Sequence, residues 1–499
     1  MLQFRRAVRM TALMMVAALV LAACGSDDAD DTEAGDDAAE EAEDGGDDAA
    51  DDGDDAAEED EPEPEPEPVP EGVTEVDVWI AFTDYRLDWA RDVAAEFNAQ
   101  VDGYQVTIQG YDNYEALFDA TLLAADQGDP PSIVQYFEAA TTEARDAVTA
   151  GGEPLFTSIE DAIDGRDEIL GVPIVLDDIV DPVAAYYTID DSFSSMPWNT
   201  SSAIMFTNRE MMEAGGVTEI PTTWQEMEAA CETIMGSDAA PDACITWPNH
   251  GWFFEQSVAL QGETLVNNDN GRSGRADEVL LTSDASIDFV QWWKDMNDAG
   301  YYVYSGTQRD WDGAYNAFSS QQVPFVIYSS SDTTALTAEG DTGGFTVEAS
   351  FFPRNGERTE GGGAIIGGAT MWLIDGLEAE VEDAALAFLS YMLNPENDAS
   401  WHQETGYIPV TNAAIQLLEA EGWYEESPNS LVASEQLAAA PETPATQGAL
   451  VGNFVAIRDV VTEAIEDILV NDLDVAERME QANGAAQQLL DEYNALFAG

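Results

Sequence analysis

Basic residues are nearly absent from this chain of 499 residues. Lys294 is the only lysine, and 16 basic residues stand against 100 acidic ones, which gives a net charge of −84. A surface of this sign repels nucleic acid and anionic lipid, so neither is expected as an electrostatic partner. Concentrated salt would screen the self-repulsion, and the composition therefore favours a halophilic source.

Histidine and the usual catalytic motifs are scarce as well. His250 and His402 are the only histidines, and neither has a further metal ligand at zinc-site spacing. A glycine-rich phosphate loop with lysine, a nucleophile elbow and a Ser-His-Asp set cannot be assembled from this sequence. We therefore expect no metal, no cofactor and no enzymatic activity.

Cysteine occurs three times, and the first stands at the end of an N-terminal leader. Three arginines among the first nine residues precede an apolar run, Met10 to Leu21, that is short for a membrane span. The run ends in Leu-Ala-Ala-Cys24, which resembles a bacterial lipobox. The prediction is a signal peptide over 1–23 and a lipid anchor on Cys24. A plain secretory signal with an incidental cysteine is the alternative.

The other two cysteines, Cys231 and Cys244, are separated by a short loop that contains Gly, Asp and Pro. Outside the cytosol such a pair favours a disulfide over a metal site. Free buried thiols are the alternative.

Residues 24–72 lack any pattern that could form a core. The stretch 27–67 holds 24 acidic residues and no basic ones, and it ends in alternating Glu and Pro. Without an apolar face to offset chain entropy, it is predicted to be a disordered tether with a stiff polyproline end. It would hold the globular part away from the membrane.

The remaining chain is too long for one core and predicts two lobes. Its first part alternates strands and helices, which indicates a parallel sheet with helices on both faces. Ligands of such sheets lie beyond the carboxyl ends of the strands, where Tyr114 and Glu138 fall. The predicted strands are 76–80, 104–108 and 132–136, and the predicted helices are 84–100 and 114–127.

The chain is predicted to cross between the lobes more than once, first at 199–208. A further strand is expected at 323–328. A strand pair, interrupted by Gly367 and Gly368, is expected at 364–374, and an amphipathic helix is expected at 475–497. Several crossings imply a hinge and a ligand cleft between the lobes. The predicted bounds are 73–200 and 332–372 for lobe 1, and 201–331 and 373–499 for lobe 2.

Three segments carry a family resemblance: Ile365–Ala369 (IIGGA), Trp401–Tyr407 (WHQETGY) and Gly452–Arg458 (GNFVAIR). They resemble bacterial extracellular solute-binding proteins, the substrate-capturing components of ABC importers, and most of all the glycerol-3-phosphate-binding branch. The resemblance runs from about Thr74 to the C-terminus. It implies an α/β, two-lobe periplasmic-binding-protein fold of type II, like that of maltose-binding protein, with a hinge and an interlobe cleft.

The resemblance also implies the ligand contacts. Glu138 would accept hydrogen bonds from glycerol hydroxyls, Arg458 would bind the phosphate, and the Gly368 amide would donate where a side chain would block the ligand. The full implied set is Tyr114, Glu138, Ser201, Trp252, Ser329, Gly368, Tyr407 and Arg458.

The implied function is ligand capture without bond chemistry. A monomeric lipoprotein, anchored outside the cytoplasm, would close on sn-glycerol 3-phosphate or a related glycerophosphodiester and deliver it to the transmembrane subunits of an ABC permease. Asn249 and the aromatic residues near Trp252 leave glycerophosphocholine or a di- or oligosaccharide open as the ligand. An extracellular hydrolase and a surface adhesin are alternatives of other classes.

Overall fold

The computed structural model of the protein describes residues 72–189, 192–358 and 360–497. The predicted signal peptide, the lipid anchor at Cys24 and nearly all of the predicted tether lie outside these ranges. Within them, every helix is too short or too polar to cross a membrane.

The described ranges contain strands of two main sheets and two short hairpins. In chain order the strands are β1 (Thr74–Ile80), β2 (Tyr104–Gly110), β3 (Ile133–Phe137), β4 (Phe156–Thr157), β5 (Glu168–Ile169), β6 (Val172–Pro173), β7 (Thr188–Ile189), β8 (Ser192–Phe193), β9 (Met196–Ser201), β10 (Ala203–Asn208), β11 (Ile245–Thr246), β12 (Phe325–Ser329), β13 (Val347–Phe351) and β14 (Gly367–Ile374).

Helices cover the sheets and form most of the C-terminal part. In chain order they are α1 (Tyr85–Gln100), α2 (Tyr114–Gln127), α3 (Thr141–Asp146), α4 (Ile159–Ile163), α5 (Asp181–Tyr187), α6 (Arg209–Ala214), α7 (Trp224–Met235), α8 (Gly251–Leu260), α9 (Asp284–Asp298), α10 (Trp311–Ser319), α11 (Thr333–Gly343), α12 (Ala379–Met392), α13 (Pro395–Thr405), α14 (Asn412–Glu421), α15 (Trp423–Glu426), α16 (Val432–Ala438), α17 (Phe454–Asn471) and α18 (Val475–Phe497). Short 3-10 turns lie at Glu138–Ala140, Leu176–Asp178, Ser330–Asp332 and Pro428–Leu431, and Asn267–Asn270 is a single turn with left-handed residues.

The N-terminal alternation of strands and helices is confirmed. Local signals explain the helix bounds: the Asp84 side chain accepts a hydrogen bond from the backbone of Arg86 and caps α1, and Asn113 caps α2. Gly128 ends α2 in the left-handed conformation. The first strands pair in parallel, β2 with β1 and β1 with β3, as the alternation predicts.

The six-stranded sheet is mixed rather than wholly parallel. Its order is β2-β1-β3-β14-β4, with β9 also paired to β14, and β14 runs antiparallel to β3, β4 and β9. The prediction of a strand pair at 364–374 is wrong, because residues 364–366 form no strand and Gly367 and Gly368 begin the single strand β14. A register shift between Gly368 and Thr370 accommodates the glycines without ending it.

The second main sheet has four strands in the order β11-β12-β10-β13. The chain passes from one sheet to the other at Ser202, since β9 ends at Ser201 and β10 begins at Ala203. This crossing falls inside the predicted stretch 199–208. Strand β12 ends at Ser329, where its carboxyl end meets the region between the sheets.

The predicted lobe bounds differ from the arrangement of the sheets. The range 332–372 contains strands of both: β13 pairs with β10 in the four-stranded sheet, whereas β14 pairs with β3 in the six-stranded one. Helix α12, predicted to belong to lobe 2, packs on β1 and α1. Hydrophobic patterns identify a strand or helix but carry no information about which sheet it joins, so these assignments required the tertiary structure.

A disulfide joins α7 to the start of β11. It links Cys231 and Cys244, whose Cα atoms are 5.4 Å apart, and both cysteines are fully buried. Trp224, on the same helix as Cys231, and Trp247, shortly after Cys244, both stack on Trp292, with ring centroids 5.1 and 5.5 Å away. These rings and the bridge form a rigid support for the four-stranded sheet.

Candidate functional site

A cavity of about 710 Å³ is lined by residues that follow strands of both main sheets. Tyr114 and Glu138 reach it from the six-stranded sheet, and Ser329 reaches it from the four-stranded sheet. The structure brings together every residue of the predicted ligand set. The walls of the cavity include Tyr114, Glu138, Ser201, Trp252, Ser329, Gly368, Tyr407 and Arg458.

A buried chain of hydrogen bonds orients Tyr114. Its hydroxyl accepts from Asn199 Nδ2 at 2.8 Å, and Asn199 Oδ1 accepts from Gln135 Nε2 at 2.8 Å. Gln135 Oε1 in turn accepts from the backbone N–H of Ala81 at 2.6 Å. Because Asn199 and Gln135 are fully buried, this chain holds the tyrosine against the cavity at one position. Asn199 and Gln135 were not recognised from the sequence.

Tyr407 stands at the helix break that the sequence indicates. Helix α13 ends at Thr405, and Gly406 follows in the left-handed conformation with φ 105°. The backbone N–H of Tyr407 donates to Thr405 Oγ1 at 3.0 Å, and its ring stacks on Trp401 with centroids 5.3 Å apart. Burial raises the pKa of Tyr407, so the hydroxyl stays protonated and can donate.

The structure supplies a reason for glycine at 368 that does not depend on the ligand. Its φ is 99°, and a Cβ at this position would lie 1.8 Å from the carbonyl oxygen of Asn199. The glycine therefore permits the close approach of β14 to β9, next to the cavity, whatever ligand binds.

Ser201 and Ser329 occupy the carboxyl ends of β9 and β12. Ser329 Oγ accepts from the backbone N–H of Ser331 at 3.2 Å and caps the 3-10 turn that follows. Ser329 Oγ also lies 2.9 Å from Ser331 Oγ, which itself lies 2.7 Å from Asp332 Oδ2. When the Ser331 hydroxyl donates to Asp332, the Ser329 hydroxyl therefore donates to Ser331.

Arg458 is held between two carboxylates. Its Nε lies 2.7 Å from Glu255 Oε1, and its Nη2 lies 2.8 Å from Glu255 Oε2 and 2.6 Å from Glu138 Oε1. All three side chains are at most 6% exposed. Burial alone would lower the pKa of Arg458, but Glu255 and Glu138 raise it above its ordinary value. The cluster carries one net negative charge, with Nη1 outside these bonds.

Glu255 is a site residue that the sequence analysis missed. It is the one charged residue of α8, it lies three positions after Trp252, and it is 5% exposed. The sequence signal that could have identified it was a single carboxylate in a mostly apolar helix that also carries aromatic residues. Burial raises the pKa of Glu255, and the Arg458 guanidinium opposes that rise.

The start of α8 is fitted closely against Arg458. A Cβ on Gly251 would lie 2.6 Å from Arg458 Cγ, so only glycine allows this approach. His250 caps the helix, since its Nδ1 accepts from the backbone N–H of Trp252 at 3.1 Å. Burial, then the charges of Arg458 and Arg309, lower the pKa of His250, which is therefore neutral.

Two further arginines line the cavity, and each is paired. Arg86 forms an ion pair with Asp84. Arg309 pairs with Asp459 and reaches Glu115 at 3.4 Å. Together with Arg458 they face six carboxylates on the cavity wall, so the wall is net negative. Those carboxylates belong to Asp84, Asp112, Glu115, Glu138, Asp312 and Asp332.

Aromatic rings form one side of the cavity. The Trp311 and Tyr328 rings meet nearly at right angles, with centroids 5.1 Å apart, and Trp252 lies 6.4 Å from Trp311. Such faces suit the C–H groups of a polyol or sugar. Asn249, in contrast, donates to the carbonyl of Thr462 at 3.0 Å and is not among the described residues that line the cavity.

Comparison with known proteins agrees with this architecture. A model of the bacterial extracellular solute-binding protein family matches residues 92–431. The sn-glycerol-3-phosphate-binding periplasmic protein of Yersinia pseudotuberculosis is 29% identical over 79% of this chain and 88% of its own length. The corresponding protein of Salmonella typhimurium is 26% identical over 84% of this chain and 93% of its own length.

Solved structures share the fold. UgpB of Mycobacterium tuberculosis, in complex with glycerophosphocholine, matches with a TM-score of 0.69 at 18% identity, over 84% of this chain and 99% of that one. The cyclic α-maltosyl-1,6-maltose binding protein of Arthrobacter globiformis matches with a TM-score of 0.65 at 20% identity, over 84% of this chain and 100% of that one. The fold is thus that of maltose-binding-protein-like periplasmic binding proteins, and this chain belongs to the bacterial extracellular solute-binding protein family.

Proposed function

We propose that this protein is the solute-binding component of an ABC importer and that its ligand is a glycerol phosphate, either sn-glycerol 3-phosphate or a glycerophosphodiester. One observation carries the proposal: all eight residues implied by the resemblance to the glycerol-3-phosphate-binding branch line a single cavity. The names of the curated relatives, which cover most of this chain, support the same ligand class.

The cavity offers a chemically sensible place for each part of that ligand. Glu138 accepts from glycerol hydroxyls, and Arg458 donates from Nη1 to a phosphate oxygen. The hydroxyl of Ser201 and the protonated hydroxyl of Tyr407 add donors, and Ser329 and the Gly368 amide line the same cavity. The Trp252 ring covers the glycerol carbons.

Charge and size favour a diester over the monoester. Each lining arginine is already paired with a carboxylate, and the wall is net negative. A phosphate monoester carries nearly two negative charges at neutral pH, whereas a diester carries one and meets less repulsion. A cavity of about 710 Å³ also leaves room for a headgroup beyond the phosphate.

Capture proceeds by closure. The proposed contacts come from segments attached to both sheets, so a ligand that binds all of them favours the conformation in which the two sides are close. No bond is made or broken. A monomer anchored through Cys24 would then present the ligand to the transmembrane subunits of its permease; the lipobox pattern supports the anchor, and the family's extracytoplasmic role supports the location.

A di- or oligosaccharide is the second candidate. The aromatic side formed by Trp252, Trp311 and Tyr328 favours it, because sugar rings stack on such faces. Asn249 donates to the carbonyl of Thr462, so glycerophosphocholine as the ligand is proposed without a contact from Asn249.

Calorimetric titration of the purified protein in high salt tests the proposal. We expect sn-glycerol 3-phosphate and glycerophosphocholine to bind and maltose to give no heat. At about 100 times Kd a ligand adds roughly 2.7 kcal/mol to the free energy of unfolding, so a thermal shift provides an independent readout. Binding of maltose alone would contradict the glycerol phosphate assignment and favour the sugar.

A further inference from the structure

A second group of charged residues lines the cavity apart from the Arg458 cluster, and nothing in the proposed ligand contacts uses it. Arg86 and Asp84 belong to the start of α1, and Asp332 belongs to the 3-10 turn after β12. Arg86 and Asp332 thus approach the cavity from opposite sheets. On the basis of the proposed function, we infer that Arg86 and Asp332 form a subsite for the hydroxyl groups of a polyol headgroup, so that the ligand is a glycerophosphodiester of a hydroxylated alcohol.

Arg86 is fixed in position with part of its donor set unused. Asp84 binds Nε at 3.0 Å and Nη2 at 2.5 Å, and the guanidinium lies over the Phe82 ring, 4.6 Å from its centroid. Its side chain is 22% exposed. These contacts leave Nη1, with two N–H donors, for the cavity. Because the fork is held already, binding a ligand costs little side-chain entropy.

Asp332 supplies the complementary acceptor. Ser331 Oγ lies 2.7 Å from Asp332 Oδ2, which leaves Oδ1 without a protein donor in the described contacts. The same Ser331 hydroxyl lies 2.9 Å from Ser329 Oγ, so Asp332 is linked to a residue of the proposed ligand set. Asp332 and Arg86 line the same cavity. Burial raises the pKa of Asp332, and the Arg86 charge opposes that rise.

Arg86 and Asp332 nevertheless do not pair directly. In the described part of the chain, the ion pair of Arg86 is with Asp84. A hydroxyl between them would accept from Arg86 Nη1 and donate to Asp332 Oδ1 at the same time. A trimethylammonium group can do neither, and a second phosphate would meet the Asp84 and Asp332 carboxylates. The arrangement therefore fits a polyol better than either.

Aromatic rings around the subsite complete the match. Phe82 lies under Arg86, and Tyr315 and Tyr328 approach from the side of Asp332, with ring centroids 6.2 Å apart. Their faces can cover the C–H groups of a polyol, while its hydroxyls reach the charged groups. Tyr114 and Tyr407 connect this subsite to the phosphate region, since the Tyr407 ring lies 6.3 Å from that of Phe82.

The test compares headgroups on the purified protein. Calorimetric Kd values are measured for glycerophosphoglycerol, glycerophosphoinositol, glycerophosphocholine and sn-glycerol 3-phosphate. We expect the two hydroxylated diesters to bind at least about 10-fold more tightly than glycerophosphocholine, because the bridging hydroxyl gains hydrogen bonds to two charged groups. Asp332→Asn and Arg86→Gln should each remove most of that preference and leave the monoester Kd within about threefold.

A double-mutant cycle sharpens the result. If one hydroxyl bridges both residues, the double variant should lose no more preference than the more affected single variant. Arg358→Met is the matched control, because Arg358 pairs with Asp284 and Asp288 and does not line the cavity, and it should leave all four Kd values unchanged.

Two outcomes would overturn the inference: glycerophosphocholine binding as tightly as the hydroxylated diesters, or the variants weakening the monoester as much as the diesters. If the wild type bound none of the four compounds, the proposed function itself would be wrong, and that result differs from both.

Discussion

At the scale of single residues, the Glu138–Arg458–Glu255 cluster is the central feature of the site. One buried guanidinium pairs with two buried carboxylates, which belong to residues 320 and 203 positions away in the chain. The desolvation cost of such a cluster is compensated only while every member is present. Arg458 therefore links the two sides of the cavity, and Nη1 lies outside these bonds and is the atom that the proposed function assigns to the ligand.

Replacing Arg458 by alanine should damage the fold as well as binding. Two carboxylates would stay buried without a cation, and loss of a buried partner costs about 3–5 kcal/mol. Urea unfolding in high salt measures the free energy of unfolding of Arg458→Ala. As control, Arg358→Ala removes a partly exposed arginine and should cost at most about 1 kcal/mol. Equal stability of Arg458→Ala and wild type would show that the cluster does not support the fold.

His402 sets a second residue-scale property, the response to acid. Its side chain is fully buried, and its Nδ1 lies 2.7 Å from the carbonyl oxygen of Tyr407. Burial lowers the pKa of His402 to about 4, from an ordinary 6.5. The folded protein keeps this imidazole neutral, whereas the unfolded chain binds a proton below pH 6.5.

Stability should therefore fall as the pH drops from 6.5 towards 4, because the unfolded state binds more protons in that window. His402→Asn keeps a donor for the Tyr407 carbonyl and cannot titrate. All other titratable groups are the same in the wild type and the variant. The difference between the urea midpoints of the two proteins, followed from pH 7 to 4, therefore isolates the contribution of His402. The wild type should lose about 3 kcal/mol relative to the variant. Parallel pH profiles would refute this role.

At the scale of elements, the junction of β9 and β14 links the two sheets. Strand β9 continues through Ser202 into β10, and β14 packs on β9 so closely that Gly368 can bear no side chain. A backbone bridge from Thr200 to Ile408 adds the segment after α13 to the same place. This junction supports Ser201, Gly368 and Tyr407 at once, which explains why residues so far apart in sequence share one wall.

Gly368→Ala should destabilise the protein by more than about 2 kcal/mol. The left-handed backbone alone costs an alanine about 1–2 kcal/mol, and the Cβ would in addition collide with the Asn199 carbonyl. Gly422→Ala separates the two effects, because Gly422 has φ 77° and open space around a Cβ. Thermal unfolding measures the loss of stability of both variants, and Gly368→Ala should lose more than Gly422→Ala. Equal losses of stability would show that β9 can shift to accommodate the Cβ.

At the scale of the whole molecule, the net negative charge is the main influence on stability that we can argue from composition. With 100 acidic residues against 16 basic ones, and a net charge of −84, most carboxylates cannot have a basic partner. The self-repulsion opposes the compact state, and mobile ions screen it. Ion pairs such as Lys294 with Asp298 are too few to balance the excess.

The melting temperature should accordingly rise with NaCl, and most of the rise should occur below about 1 M, since the Debye length falls from about 10 Å at 0.1 M to about 3 Å at 1 M. Scanning calorimetry across this range measures it. A general salt effect on hydration would instead grow steadily at higher concentration. A flat or purely linear dependence would contradict the electrostatic explanation.

The sequence by itself determined whatever depends on neighbours along the chain. Caps, periodicity and glycine breaks act over a few residues, and they located α2 at 114–127 and α18 at 475–497 and the helix end before Tyr407. The resemblance in three short segments then identified the family and named residues that the structure brings to one cavity. Both kinds of signal are local, and the glycine pair at 367–368 shows their limit, since it begins a strand instead of interrupting one.

Only the tertiary structure decided which distant segments meet. It placed β13 in one sheet and β14 in the other, paired Arg458 with Glu255, and brought Arg86 and Asp332 to the same cavity. These choices depend on packing and strand register across hundreds of residues, for which a hydrophobic or charged pattern gives no partner. The charge balance of the cavity, on which the proposed preference for a diester rests, follows from those long-range contacts.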